Sequence, residues 1–221
     1  MQKQIIKVEK EQIFSGSESY FRKICGGPKR DMGNLWEEAW NIREQYKERL
    51  IPHICVSLYR KEELGVSIEE KEDWKITLCK EGASEDFFAA YAMGIPEISL
   101  SELDLLEQFY LDSWMTAVLD SARDWLRDYL KEYVEQKLGE KRYVSEAYGP
   151  GFFDIDLEEI PKILEMAGGE EIGVSWTGKT LLPPKSNVGF FYISKEKQDW
   201  KGRDCRHCLS DHKNCAFCKN A

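Results

Sequence analysis

Residues 112–139 read DSWMTAVLDSARDWLRDYLKEYVEQKLG, and this stretch predicts the element around which the fold is built. Apolar side chains recur through it at helical spacing, at Val118, Leu119, Ala122, Trp125, Leu126, Tyr129, Leu130, Tyr133 and Leu138. A stripe of this kind is typical of a helix that packs one face against a core. Gly139 follows the last apolar residue, as expected where a helix ends.

The start of this helix is less clearly marked than its end. Ser99 and Glu102 have the spacing of a capping box, which predicts a helix from Leu100 to Leu138. That length is unusual for one helix of a globular protein, so the pattern also allows a break near Asp112 or Ser113.

The residues before the long helix predict one helix and a pair of strands, and the first thirty are too mixed to predict an element. NLWEEAWNIREQYKERL (34–50) has a rough apolar face that indicates a helix. Residues 53–70 and 72–79 concentrate β-branched and aromatic side chains around a charged turn, which is typical of strands. Cys55 and Cys79, within these apolar runs, are expected to be small buried hydrophobes.

Beyond Gly139 the sequence predicts a loop, a short helix and two strands. YGPGFFDID is a glycine-proline loop, and LEEIPKILEM is a short helix with Pro161 in its first turn, ended by Gly168 and Gly169. EIGVSWTG (171–178) and NVGFFYIS (187–194) read as strands on either side of the turn-rich KTLLPPKS. Helices and strands in this irregular order indicate an α+β fold and not a βαβ array.

Composition excludes several classes of function. The chain has 221 residues, of which 42% are hydrophobic, and a formal net charge of −9. The acidic balance disfavours a nucleic-acid partner, because phosphate binding requires positive surfaces. No window approaches the roughly 20 apolar residues of a membrane span, and the N-terminus MQKQIIKVEKEQ lacks an apolar secretory stretch. A cytoplasmic protein is therefore expected.

The C-terminal residues carry a cysteine pattern that predicts a metal site. Cys205, Cys208, Cys215 and Cys218 form two Cys-x-x-Cys pairs, the arrangement of a tetrathiolate site. Zinc and an iron–sulfur cluster both use four thiolates, so the spacing leaves both open. Four free thiols or adventitious disulfides are the alternative without a metal. In a reducing compartment a disulfide framework is the weaker explanation.

Three stretches together resemble the activation (reactivation) domain of cobalamin-dependent methionine synthase, most closely in its free-standing form. They are the helix DSWMTAVLDSARDWLRDYLKEYVEQKL, the loop and short helix YGPGFFDIDLEEIPKILEM, and IGVSWTGKTLLPPKSNVGFFYI. The resemblance covers Asp112 to Ile193. It implies a C-shaped α+β domain with a mostly antiparallel sheet, a long central helix and flanking helices. By this resemblance residues 1–200 form the domain and 201–221 the cysteine-rich tail, which free-standing members often carry.

The resemblance also implies a function in methionine biosynthesis. Such a domain presents S-adenosylmethionine to a cobalamin held by a partner, a corrinoid-binding methionine synthase or related methyltransferase. An electron from a donor such as flavodoxin or ferredoxin reduces cob(II)alamin, and methyl transfer traps the product. The cofactors supply the chemistry, and the protein supplies position and electrostatics.

The predicted ligand loop matches the family signature Arg-x-x-Pro-Gly-Tyr in part. The residues assigned to S-adenosylmethionine are Tyr148, Gly149, Pro150, Gly151, Phe152 and Asp154. Pro150 and Gly151 lie on the family's Pro-Gly, and Phe152 stands in place of its tyrosine. The family arginine, which pairs with the ligand carboxylate, falls at Ala147, and Arg142 is the nearest arginine in sequence. A tight turn with a buried phenylalanine is the purely structural alternative.

Three hypotheses follow from these observations. The first is a reactivation module that binds S-adenosylmethionine and a corrinoid protein. The second is a redox protein whose tail cluster delivers electrons to a corrinoid partner without binding S-adenosylmethionine. The third is a non-catalytic scaffold. The glycine-proline loop and the Pro-Pro-Lys-Ser turn favour the first, and Ala147 favours the other two.

Overall fold

The structure is a computed structural model that describes residues 2–26, 33–60, 87–151 and 155–197. Its helices are α1 (Lys10–Ile24), α2 (Asn34–Tyr46), α3 (Leu105–Leu138) and α4 (Ile160–Ala167). Its strands are β1 (Gln2–Ile6), β2 (His53–Arg60), β3 (Phe87–Gly94), β4 (Tyr143–Val144), β5 (Ser175–Trp176), β6 (Leu181–Leu182) and β7 (Ser186–Ser194). This composition confirms the predicted α+β class.

Five of the strands form one antiparallel sheet in the order β1-β2-β3-β7-β4, and β5 pairs with β6 separately. The central pair is β3 with β7, in register from Phe87 opposite Ile193 to Gly94 opposite Ser186. The predicted antiparallel sheet is therefore confirmed. Its central strands, β3 and β7, come from distant parts of the chain. The long helix α3 lies between them in sequence, although the two strands are neighbours in the sheet.

Each face of the sheet has its own core. On β3, Tyr91 and Met93 point toward a large cluster with α1, α2 and α3, which we call the α3 face. Phe88 and Ala92 point the other way, into a smaller cluster with α4, which we call the α4 face. Successive side chains of a strand point to opposite faces, so a strand buried on both faces reads as a continuous apolar run.

Helix α3 begins later than predicted and is not broken. Its capping box is Asp104 and Glu107, with the Asp104 carboxylate accepting from the Glu107 backbone N–H at 2.9 Å. The predicted box of Ser99 and Glu102 is therefore wrong. The helix also continues without interruption past Asp112 and Ser113, where the pattern allowed a break, and fully buried Trp114 anchors this turn in the core. Gly139 ends it in the left-handed conformation, as predicted.

Four elements that the sequence analysis did not predict complete the sheet and its cover: β1, β3, β4 and α1. Helix α1 carries serines and Gly16 in its centre, which weaken its helical pattern. Tertiary packing explains them, since a Cβ at position 16 would lie 2.3 Å from Ser121 Oγ of α3. Ser121 Oγ instead donates to the Ile13 carbonyl at 2.7 Å, so the two helices pack very closely.

The remaining predictions are confirmed in part. Helix α2 and strand β2 form where expected, and Cys55 is fully buried in β2. Residues 61–86, which include the predicted strand 72–79 and Cys79, lie outside the described residues. Of the predicted strand 171–178 only Ser175 and Trp176 pair, because a 3-10 helix occupies Gly169–Ile172.

Candidate ligand-binding site

The predicted ligand loop begins where a segment of chain leaves the edge of β7. Ser145 N–H donates to the Tyr192 carbonyl at 2.9 Å, and Tyr148 exchanges two backbone hydrogen bonds of 2.9 and 2.8 Å with Phe190. The Tyr148 side chain is buried, with its ring stacked on that of Phe190 at 5.6 Å. The loop is therefore fixed to the sheet at its first residue.

Two glycines allow the loop to cross β7 at very short distance. A Cβ at Gly189 would lie 2.3 Å from the Tyr148 carbonyl oxygen and 2.8 Å from the Tyr91 hydroxyl. A Cβ at Gly149 would lie 3.0 Å from the Val188 carbonyl oxygen. Side chains at either position would push the loop away from the strand, so the close crossing explains both glycines.

The loop closes on itself after Pro150. Gly151 has φ +84°, a conformation that favours glycine, and its N–H donates to the Ile155 carbonyl at 2.9 Å. The predicted ligand residues Phe152 and Asp154 fall between these two positions in sequence and lie outside the described residues. The alternative of a tight turn with a buried phenylalanine stays a prediction, because Phe152 is outside the described residues.

A row of polar residues on α3 faces β7, and we call this row the polar seam. It comprises Asp112, Thr116, Asp120, Arg123 and Arg127, spaced three or four residues apart and so on one side of the helix. At its N-terminal end, Lys185 Nζ lies 2.9 Å from Asp112 Oδ1 and donates to Thr116 Oγ1 at 2.8 Å. The lysine of the Pro-Pro-Lys-Ser turn thereby ties the turn before β7 to α3.

The middle of the polar seam is largely buried. Arg123 pairs with Asp120 at 2.9 Å, and their side chains are 16% and 21% exposed. On the sheet beneath, the Tyr91 hydroxyl donates to Asn187 Oδ1 at 3.1 Å. Burial raises the pKa of Tyr91 to about 12, so this hydroxyl remains a neutral donor at physiological pH.

The C-terminal end of the polar seam brings a guanidinium to the ligand loop. Arg127 Nη1 lies 3.0 Å from Glu146 Oε1, and both side chains are about one-third exposed, at 30% and 32%. Glu146 immediately precedes Ala147, the position of the family arginine. Arg142 is committed elsewhere, because its buried guanidinium donates to Glu140 Oε2 at 3.2 Å.

Ala147 itself is half-buried and packs against the core of the α3 face. The fold therefore places the guanidinium of Arg127, on α3, beside Glu146. Glu146 is the residue before Ala147, the position at which the sequence lacks the family arginine. The sequence analysis did not identify Arg127. Its spacing of four residues from Arg123 and seven from Asp120, on one side of the helix, was the available signal.

The predicted metal ligands Cys205, Cys208, Cys215 and Cys218 lie outside the described residues. Within residues 2–26, 33–60, 87–151 and 155–197, no group of three or more His, Cys, Asp or Glu side chains is arranged to bind a metal ion. Across the same residues, no helix has the length and apolar character to cross a membrane.

Comparison with solved structures identifies the fold. The chain superposes on the MetH reactivation domain, solved in complex with AdoHcy, with a TM-score of 0.55 and 12% sequence identity. The match covers 90% of this chain and 81% of that one. No protein-family model and no curated protein sequence matches the chain. The chain thus has the fold of a methionine synthase reactivation domain, the domain that its sequence resembles.

Proposed function

We propose that this protein is a reactivation module for a cobalamin-dependent methionine synthase or related corrinoid methyltransferase. In this proposal S-adenosylmethionine binds beside the Tyr148–Gly151 loop, with Phe152 and Asp154 as further ligand residues. The observation that carries the proposal is the fold shared with a reactivation domain that binds AdoHcy. Residues 1–200 would form the module, 201–221 a separate tail, and the reaction would take place in the cytoplasm.

The described residues provide the two features that an amino-acid ligand requires. Gly149 allows the loop to lie close against β7, and Arg127 would provide a cation for the ligand carboxylate. We propose that Arg127 replaces the family arginine missing at Ala147. Its partner Glu146 is only half-buried, so the ion pair is exposed enough to exchange with a carboxylate from solution. When bound, the ligand supplies the methyl group, and the chain orients it.

Calorimetric titration with AdoHcy tests this site. Arg127→Gln should weaken binding about 10- to 150-fold, the equivalent of the 1.5–3 kcal/mol of a hydrogen bond to a charged group. Methylthioadenosine lacks the amino-acid carboxylate, so its affinity should be the same for Arg127→Gln and for the wild-type protein. Equal losses for both compounds would show that Arg127 only shapes the loop.

Two further variants sharpen the test. Arg22→Gln removes an arginine that pairs with Glu18 on α1, and it should leave AdoHcy affinity unchanged. The double variant Ala147→Arg/Arg127→Gln returns the arginine to the family position and should restore affinity toward the wild-type value. Absence of AdoHcy binding to the wild-type chain would contradict the proposed site and favour the redox or scaffold alternatives.

Reactivation itself is tested with a partner. A corrinoid-binding methionine synthase that lacks its own reactivation domain is loaded with cob(II)alamin and given a strong reductant and S-adenosylmethionine. Addition of this protein should convert the cob(II)alamin absorbance to the methylcobalamin band, and free cob(II)alamin should not respond. Methylation at the same rate without the protein would contradict the proposal. Reduction without methylation would support the redox alternative.

We further propose that Cys205, Cys208, Cys215 and Cys218 bind zinc or an iron–sulfur cluster, on the support of their spacing alone. Metal analysis and a visible spectrum of the anaerobically purified chain distinguish the two. The electron donor, flavodoxin or ferredoxin, would deliver its electron to a cluster or directly to the corrinoid. A metal-free chain with four alkylatable thiols would contradict the metal proposal and leave the ligand site untouched.

A further inference from the structure

The first turns of α3 expose large apolar side chains to solvent. Leu105 is 85% exposed, Leu106 42% and Phe109 49%, and we call these three residues the apolar tip. They follow the capping box at Asp104, so their exposure occurs in a well-formed helix and not in a frayed end. Clustered apolar side chains of this size on a surface are typical of interaction sites, whereas single exposed leucines are common.

The apolar tip is continuous with the rigid core of the α3 face. The Phe109 ring lies 5.9 Å from that of Tyr110, which is buried and in turn 6.3 Å from Phe21. A surface supported from beneath in this way is preorganised. Binding to it therefore costs less conformational entropy than binding to a mobile segment.

The surroundings of the apolar tip carry negative charge. The sequence has no lysine, arginine or histidine from Glu97 to Ala122. The acidic residues up to the first turn of α3 are Glu97, Glu102, Asp104 and Glu107, whereas Asp112 and Asp120, farther along the helix, are paired with Lys185 and Arg123. The start of α2 adds exposed Glu38, which lies close enough to Tyr110 to help burial raise the pKa of that hydroxyl. The tip is thus an apolar surface with an acidic rim.

We propose that the apolar tip is a docking surface for a partner protein that presents an apolar patch bordered by lysines and arginines. Charge complementarity identifies this occupant. An anionic membrane or a nucleic acid would be repelled by the rim. A second copy docked by two-fold symmetry would place one acidic rim against the other.

The test uses the full chain and a synthetic amphipathic helix of leucine and lysine as the probe, with binding measured by fluorescence anisotropy. Leu105→Ser/Phe109→Ser should weaken binding at least about tenfold, as expected when anchor residues are removed. Ile5→Ser, which removes another exposed apolar residue on β1, should leave binding unchanged. Binding should also weaken as salt rises, because the rim is exposed.

Equal affinity of the probe for the wild-type protein, the tip variant and the Ile5 variant would overturn the proposal. A dimer of the free chain in sedimentation, lost in the tip variant, would overturn it in favour of a second copy. The melting temperature and AdoHcy affinity of the tip variant should equal those of the wild-type protein, since both residues are exposed and outside the loop. These controls separate the docking surface from protein stability and from the proposed ligand site.

Discussion

The two faces of the central sheet are built very differently. On the α3 face three helices cover the sheet, and Trp114 is fully buried with its ring stacked 3.9 Å from Phe21. On the α4 face a helix of 8 residues covers it, and the stacked pair is Phe88 with Phe190 at 4.6 Å. The predicted ligand loop begins at the edge of both faces, because Tyr148 belongs to the cluster of the α4 face and Ala147 packs against that of the α3 face.

The difference indicates that stability is divided unequally between the two faces. A thick apolar layer contributes most of the hydrophobic free energy of folding, since that contribution follows the area buried. The α4 face has polar contacts of its own, such as the Tyr59 hydroxyl donating to the Met166 carbonyl at the end of α4 at 2.8 Å.

The largest expected effect is on the α3 face. Trp114→Ala removes a fully buried ring and leaves the Ala39 carbonyl without the indole N–H that donates to it at 2.7 Å. We expect a loss of about 3–5 kcal/mol in the free energy of unfolding, measured by urea denaturation. Ile163→Ala, fully buried on the α4 face, should cost less. A greater cost for Ile163→Ala would contradict the proposed division.

The second prediction concerns the crossing of the loop over β7. Gly189→Ala places a methyl group against the Tyr148 carbonyl, so the loop must move; we expect a loss of about 1–3 kcal/mol in stability and weaker AdoHcy binding. The matched control is Gly94→Ala on β3, whose methyl group would meet the side chains of Ser186 and Val174. It should reduce stability without weakening AdoHcy binding. Equal binding losses in both variants would contradict a specific role of the crossing.

A smaller effect is expected at the start of α3. Asp104→Ala removes the capping box and should cost about 1 kcal/mol, measured by thermal or urea unfolding. Asp104→Asn keeps an acceptor and should cost less. A loss comparable with that of Trp114→Ala would show that the first turn, and not the buried middle of α3, sustains the α3 face.

The smallest effect at neutral pH concerns the contact between α1 and α3. Burial, together with the hydrogen bond to Asp124, raises the pKa of Tyr20 to about 12. An unfolded tyrosine ionises near pH 10. The stabilising contribution is therefore complete below about pH 10 and is lost as the pH rises toward 12. Unfolding measured across this range should show a shallower decline for Tyr20→Phe; an unchanged slope would contradict this assignment.

The helical parts of the fold were predictable where an apolar stripe met a clear stop signal. Helix α3 ends at Leu138 because Gly139, which follows it, adopts the left-handed conformation. Helix α4 ends at Ala167 for the same reason, since Gly168 adopts that conformation too. The start of α3 was not predictable, since both Ser99 and Asp104 have an acidic residue three positions later. Only the backbone geometry at Asp104 distinguishes the true cap from its neighbour.

The sequence by itself determined the α+β class, the positions of α2 and α4 and the end of α3, because local periodicity and turn residues encode them. The resemblance to a reactivation domain was carried by the three quoted stretches. Tertiary structure alone decided the pairing of β3 with β7 and the approach of Arg127 to Glu146. Strand partners and ion pairs between distant residues leave no local pattern, since their energies arise only when the chain is folded. The absence of the family arginine at Ala147 could be recognised in the sequence, whereas the guanidinium of Arg127 beside Glu146 could not.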